Sequence, residues 1–159
     1  MIFQIFIITK FITALAFIIL TGDDNFTLNE KIVSILKEIG IVWQMQNDYH
    51  DAFGSLDECL KEGTDIKEGK YGWPIIMAIT LGNEYQCKIL LENYGKDSEI
   101  CVRRVRNIFK DLNLADIFEK ELEKRIENIK KSIHQFSSEK LISPDIFSDI
   151  FKKYLDIIL

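Results

Sequence analysis

Asp48 and Asp51 stand three positions apart in the stretch QMQNDYHD, in company with the amides of Gln44 and Asn47. On a helix that spacing puts both carboxylates on one face. There they can share a hard cation such as Mg²⁺, which takes oxygen ligands and keeps several of its waters. The following loop, GSLDECLKEGTDIKEGKYG, adds a third carboxylate, Asp65, and two ammonium groups, Lys61 and Lys70. Carboxylates beside lysines are what a Mg²⁺-bound polyphosphate requires. The bland alternative is an ordinary solvated helix face, which periodicity alone favours; the i, i+3 spacing and the following loop speak for the cation.

The element that must position these groups is a long helix. Thr27-Leu28-Asn29-Glu30 has the form of a capping box, and Gly54 supplies a stop after Phe53. With an advance of about 100° per residue and Asn47 set to zero, Ile32, Leu36, Ile39, Val42 and Trp43 fall between roughly −140° and −20°. That side is expected to be core. Gly40, Gln44, Asn47, Asp48 and Asp51 fall together between roughly 0° and 100°. His50, near −60°, lies on the apolar side, which predicts a packed, hydrogen-bonded histidine rather than a ligand.

Helix signals continue along the chain, and strand alternation is scarce, so the fold class is all-α. Pro74 suits an early helical position in WPIIMAITLG, and Gly95 suits the C-cap of NEYQCKILLENYG. DSEICVRRVRNIFKDLNL, a charged helix from Ala115 to Phe136 and a last helix after Pro144 complete the pattern. No repeat or linker divides it, so one domain is expected. Arg103, Arg104 and Arg106 read as a solvated helix face, and His134 as a surface residue.

The chain has 159 residues, 47% of them hydrophobic, with a net charge of −5. That length can bury a sizeable core, and the acidic balance argues against non-specific nucleic-acid binding. Cys59, Cys87 and Cys101 have neither metal-ligand nor disulfide spacing and read as reduced thiols of an intracellular protein. The N-terminal run MIFQIFIITKFITALAFIIL approaches bilayer length. Gln4, Lys10 and the lack of a basic leader or cleavage signal favour a buried helix over a membrane span or signal segment.

WQMQNDYHDAFGSLDECLKEGTDIKEGKYGW resembles the second aspartate-rich region of farnesyl diphosphate synthases and related trans-isoprenyl diphosphate synthases, FQ-x-QDDYLD-x-FGD…GK-x-GTDI…K-x-SW. KILLENYGK and VRRVRNIFKDLNLADIFEKE resemble the family's later helices, and the likeness runs from about Leu28 to Tyr154. It implies the C-terminal half of a polyprenyl synthetase domain, with helices around a central cavity, a cytoplasmic location and a homodimer in the complete form. The implied reaction is Mg²⁺-dependent condensation of an allylic prenyl diphosphate with isopentenyl diphosphate. Carried over by position, Asp48, Asp51 and Asn47 resemble the metal-binding aspartate motif. Asp65 resembles an aspartate reaching the metal through water. Lys61 and Lys70 resemble lysines on the allylic diphosphate, Gln44 the cavity-facing glutamine, and Trp43 a residue near the isopentenyl pocket.

Several features depart from that pattern. The first aspartate-rich motif, which the family carries in its N-terminal half, is absent, so the chain is expected to be incomplete and weak or inactive alone. Asn47 stands where the family has aspartate, His50 replaces a leucine, and the end KKYLDIIL lacks a basic tail. Two alternatives therefore accompany the prenyltransferase expectation. One is a terpene synthase on the same scaffold that ionises a prenyl diphosphate; the other is a non-catalytic paralogue.

Overall fold

The computed structural model describes residues 26–54 and 63–138. Among them are six helices and no strand: α1 Phe26–Phe53, α2 Asp65–Glu68, α3 Trp73–Leu81, α4 Glu84–Asn93, α5 Glu99–Asp111 and α6 Leu114–Ser138. The expected all-α class holds. The N-terminal apolar run, Cys59, Lys61 and the helix expected after Pro144 lie outside the described residues. No described helix is long and apolar enough to cross a membrane.

Local chemistry accounts for most of the helix boundaries. Helix α1 starts at Phe26, placing Thr27 inside its first turn rather than before it. It ends where expected, with the Gly54 N–H donating to the His50 carbonyl at 2.8 Å. Pro74 lies in the first turn of α3, where its missing N–H costs nothing. A capping box opens α4. The Gln86 N–H donates to Asn83 Oδ1 at 2.9 Å and the Asn83 N–H to Gln86 Oε1 at 3.0 Å. Tyr94 is the C-cap of α4, one residue earlier than expected, and Gly95 follows with φ of 76°. Between α5 and α6, Asn113 takes φ of 52°, a left-handed conformation that asparagine tolerates, and its Nδ2 donates to Asp116 Oδ2 at 2.7 Å.

The residues form two compact units, one taking the chain up to Trp43 and from Lys124 onward, the other Gln44–Glu123. In the first, Ile35, Leu36, Val42 and Ile129 are buried, and Arg125 Nη1 pairs with Glu38 Oε2 at 3.1 Å. In the second, the apolar stripe Val102, Val105, Ile108 and Phe109 of α5 packs with Leu90 of α4 and with Ile75 and Ala78 of α3. Ala52, Ile66 and Leu114 join the same core. Burying a side chain the size of Leu90 or Phe109 stabilises the fold by about 1.5–3 kcal/mol. An aromatic stack closes one side: the Tyr49 ring lies 4.6 Å from Phe53 and 4.0 Å from Phe118.

The core face of α1 differs from expectation in its second half. Met45 and Ala52 are buried there, whereas Trp43 is half-buried and His50 is exposed. The expectation of a packed His50 is therefore corrected. Its ring meets Tyr49 only edge-on, at 6.0 Å. On the helical wheel the buried arc of this half centres near 160°, the direction of Met45, which turns His50 away from the core and brings Asp48, near 100°, to its border.

Candidate active site

The two aspartates of α1 have the same local task. Each accepts backbone N–H groups at the start of a following helix, donors that helix geometry leaves without an internal partner. Asp48 Oδ2 accepts the Trp73 N–H at 2.8 Å, and Gln44 Nε2 donates to Asp48 Oδ1 at 2.5 Å. Gly72, the N-cap of α3, offers no capping side chain, so a carboxylate on another helix supplies the cap. Asp51 Oδ1 accepts from the Asp65 N–H at 2.8 Å and Oδ2 from the Thr64 N–H at 3.2 Å. Close approach is possible because the partners are glycine-flanked. A Cβ on Gly72 would lie 3.0 Å from Asp48 Cγ, and one on Gly63 would lie 2.0 Å from the Asp51 carbonyl oxygen.

Asp65 and Lys70 complete the group. Lys70 Nζ lies 2.6 Å from Asp65 Oδ1 and 3.1 Å from Glu68 Oε2. The turn between them closes through Gly69 at φ of 67°, with the Lys70 N–H donating to the Asp65 carbonyl at 3.0 Å. Burial pushes the Asp48 carboxyl above the ordinary aspartate range, and the nearby negative charges of Asp65 and Asp51 push the same way. Burial likewise raises Asp51, with Asp65 adding to it and backbone donors and Lys70 opposing. The hydrogen bond to Asp65 raises the Lys70 ammonium. Among the described residues, the carboxylates of Asp48, Asp51, Asp65 and Glu68 thus share one field with the Lys70 ammonium, an excess of negative charge that a cation would relieve.

The donor set is all oxygen and net negative, which fits a hydrated hard cation. Among the described residues no three acidic, histidine or cysteine side chains are arranged to hold an ion directly. Every oxygen of Asp48 and Asp51 already accepts a donor, and each has a second lone pair with which to accept from a metal-bound water.

Of the other expected residues, Asn47 is half-buried and its Nδ2 is buried without a hydrogen-bond partner. Gln44, expected to face a cavity, uses its amide on Asp48. Trp43 is half-buried and belongs to the other unit. Lys61 lies outside the described residues, and His134 is exposed as expected. Arg103 and Arg104 are exposed, but Arg106 is half-buried and its Nε donates to the Ala52 carbonyl at 3.0 Å, capping the end of α1. A signal for that role existed, because Arg106 and Arg104 flank the Val102–Phe109 stripe on its two sides of the helical wheel, Arg104 Nη1 donating to Asn93 Oδ1 at 3.3 Å, while Arg103 points away.

Residues 9–112 match the polyprenyl synthetase family model. The chain belongs to the polyprenyl synthetase family. It is similar to farnesyl pyrophosphate synthase 1 of Parthenium argentatum, 37% identical over 69% of this chain and 32% of that protein. It is also 34% identical to farnesyl pyrophosphate synthase of Panax ginseng, over 82% of this chain and 38% of the relative. This polyprenyl synthetase family member therefore spans about a third of the length of the curated relatives it matches. A solved T. brucei farnesyl pyrophosphate synthase superposes with a TM-score of 0.71 at 21% identity, over 82% of this chain and 38% of that one. A second T. brucei structure gives 0.74 at 20% identity, over 85% and 39%. The helices thus follow the fold of those structures, as the sequence resemblance led one to expect.

Proposed function

We propose that the chain supplies the diphosphate-binding half of a Mg²⁺-dependent prenyltransferase of farnesyl diphosphate synthase type. The observation that carries this reading is the convergence of Asp48, Asp51 and Asp65 with Lys70 around the starts of α2 and α3. Asp48, Asp51 and Asp65 would hold Mg²⁺ through its waters, with Asn47 beside them, and the bound ion would neutralise diphosphate charge. Lys70, with Lys61 from the preceding loop, would bind the diphosphate of an allylic substrate. As the allylic C–O bond breaks, its electron pair leaves with the diphosphate, and the Lys70 ammonium stabilises the charge that develops. The double bond of isopentenyl diphosphate then attacks the allylic cation, and loss of a proton completes the condensation. Gln44 keeps Asp48 oriented, and Trp43 would lie toward the isopentenyl group. The complete enzyme would be a cytoplasmic homodimer.

Asn47 favours a second reading. A neutral amide in the motif weakens one metal position, which suits a protein that ionises a prenyl diphosphate without coupling it to isopentenyl diphosphate.

Calorimetric titration of the chain with an unreactive prenyl diphosphate analogue, in Mg²⁺ and then in EDTA, tests the common part of both readings. Binding that requires Mg²⁺ and disappears in Asp48→Ala is expected. No binding by the folded chain would overturn the diphosphate site. Product analysis of a complete form, with and without isopentenyl diphosphate, separates coupling from ionisation alone.

A further inference from the structure

The Lys70 carbonyl receives two donors. The Tyr94 hydroxyl donates to it at 2.5 Å and the Gly72 N–H at 3.0 Å, the latter closing a γ-turn centred on Tyr71. One residue beyond Gly72, the Trp73 N–H meets Asp48 Oδ2 at 2.8 Å. The segment from Lys70 to Trp73 is therefore tied at one end to Tyr94 and at the other to Asp48, and it carries the ammonium that pairs with Asp65.

The support under Tyr94 is equally specific. The next residue, Gly95, donates its N–H to the Ile66 carbonyl of α2 at 2.9 Å. Gly95 also abuts Gly69, since a Cβ on either glycine would come within 3.2 or 3.5 Å of the other's Cα. Both glycines have positive φ, 67° at Gly69 and 76° at Gly95, a backbone conformation that side chains rarely adopt, and a Cβ at Gly69 would also crowd Gly95. The end of α4 is thus pressed against the turn bearing Asp65 and Lys70, with the Tyr94 ring half-buried and its hydroxyl aimed at a backbone acceptor.

We infer that Tyr94 is a positioning residue for diphosphate binding. Its hydroxyl fixes the Lys70 carbonyl, and through the Lys70–Trp73 segment it sets the Lys70 ammonium and the Asp48 carboxylate relative to each other. This rests on the diphosphate reading above. Tyr71, by contrast, is 89% exposed and anchors nothing by its side chain, so the turn depends on its backbone partners. Without the hydroxyl the Lys70 carbonyl keeps one donor from a tight turn, and the ammonium samples positions away from Asp65.

The test uses the 159-residue chain, inorganic pyrophosphate with Mg²⁺ as the probe, and the variants Tyr94→Phe, Lys70→Ala and their combination. Tyr94→Phe keeps the ring and removes only the donor. Pyrophosphate affinity is expected to fall about fivefold to tenfold, the size of one lost neutral hydrogen bond. In the Lys70→Ala background the same change is expected to add less than about twofold, because the two act through one contact. Backbone amide exchange is expected to quicken at Gly72 and Trp73 and to stay unchanged at Val105 and Phe109, which shows the fold intact. Unaltered pyrophosphate binding in Tyr94→Phe overturns the inference alone, and fully additive losses overturn the route through Lys70. Absence of binding by the unaltered chain overturns the diphosphate reading and the inference with it. Should Tyr94→Phe fail to fold, Gly95→Ala, which disturbs the same support without touching the hydroxyl, carries the same comparison.

Discussion

Asp48 and Trp73, separated by 25 positions in the sequence, are joined by a 2.8 Å hydrogen bond from the Trp73 backbone N–H to Asp48 Oδ2. One carboxylate therefore caps α3 and faces the proposed cation. The two tasks separate by substitution. Asp48→Ala leaves the half-buried Trp73 N–H without its acceptor and is expected to cost about 1–2 kcal/mol in urea unfolding. Asp48→Asn keeps an acceptor for Trp73 and removes the desolvated charge, so its stability is expected within about 1 kcal/mol of the parent. Both variants are expected to lose Mg²⁺-dependent diphosphate binding. Equal destabilisation by the two would contradict the capping role.

Gly63 and Gly72 give a paired steric prediction. Alanine at Gly63 places its Cβ 2.0 Å from a backbone oxygen that cannot rotate away, so a loss of about 1–3 kcal/mol is expected in thermal or urea unfolding. At Gly72 the obstacle is the Asp48 side chain, 3.0 Å from the new Cβ, which can move aside. Gly72→Ala is therefore expected to cost about 1 kcal/mol, less than Gly63→Ala, because a displaced Asp48 loses its hydrogen bond to the Trp73 N–H, and to weaken Mg²⁺-dependent binding, which calorimetry reads directly.

Alkaline titration addresses the tyrosines. Burial raises the Tyr94 phenol, and the carboxylates of Asp65, Asp48 and Asp51 raise it further. Burial raises Tyr49 too, with help from Glu119 and Asp116. A group whose folded pKa is raised contributes stability below its unfolded value, about 10 for tyrosine, and that contribution is lost as the pH climbs through the folded value. Absorbance of the tyrosinate is expected to show Tyr49 and Tyr94 as the two late phenols among the described tyrosines. Tyr94→Phe should remove one of them. A titration in which every tyrosine ionises together at the ordinary value would refute the buried environments.

Arg106 and Arg103 should differ although they lie on one helix. Arg106→Ala deprives the Ala52 carbonyl of its donor at the end of α1 and is expected to cost about 1–2 kcal/mol. Arg103 is exposed, and Arg103→Ala is expected to change stability by less than about 0.5 kcal/mol. Urea midpoints of the two variants check the contrast.

The sequence alone determined the all-α class and most helix boundaries, because capping residues, Pro74 and apolar periodicity act within a few positions of one another. Spacing on α1 also brought Gln44, Asp48 and Asp51 to one face, and the motif carried the family resemblance. What tertiary structure decided was the direction of burial and the partners across long separations. His50 shows the first: the apolar arc averaged over the whole helix placed it inward, whereas packing in this half follows Met45 and Ala52. Tyr94 shows the second, since its bond to the Lys70 carbonyl spans 24 positions and needs Gly69 and Gly95 in contact. Arg106 reaches back 54 positions to Ala52. Periodicity reports which side of a helix is apolar, but which neighbour covers that side, and which backbone group lies opposite a given hydroxyl or guanidinium, is set only when the helices pack.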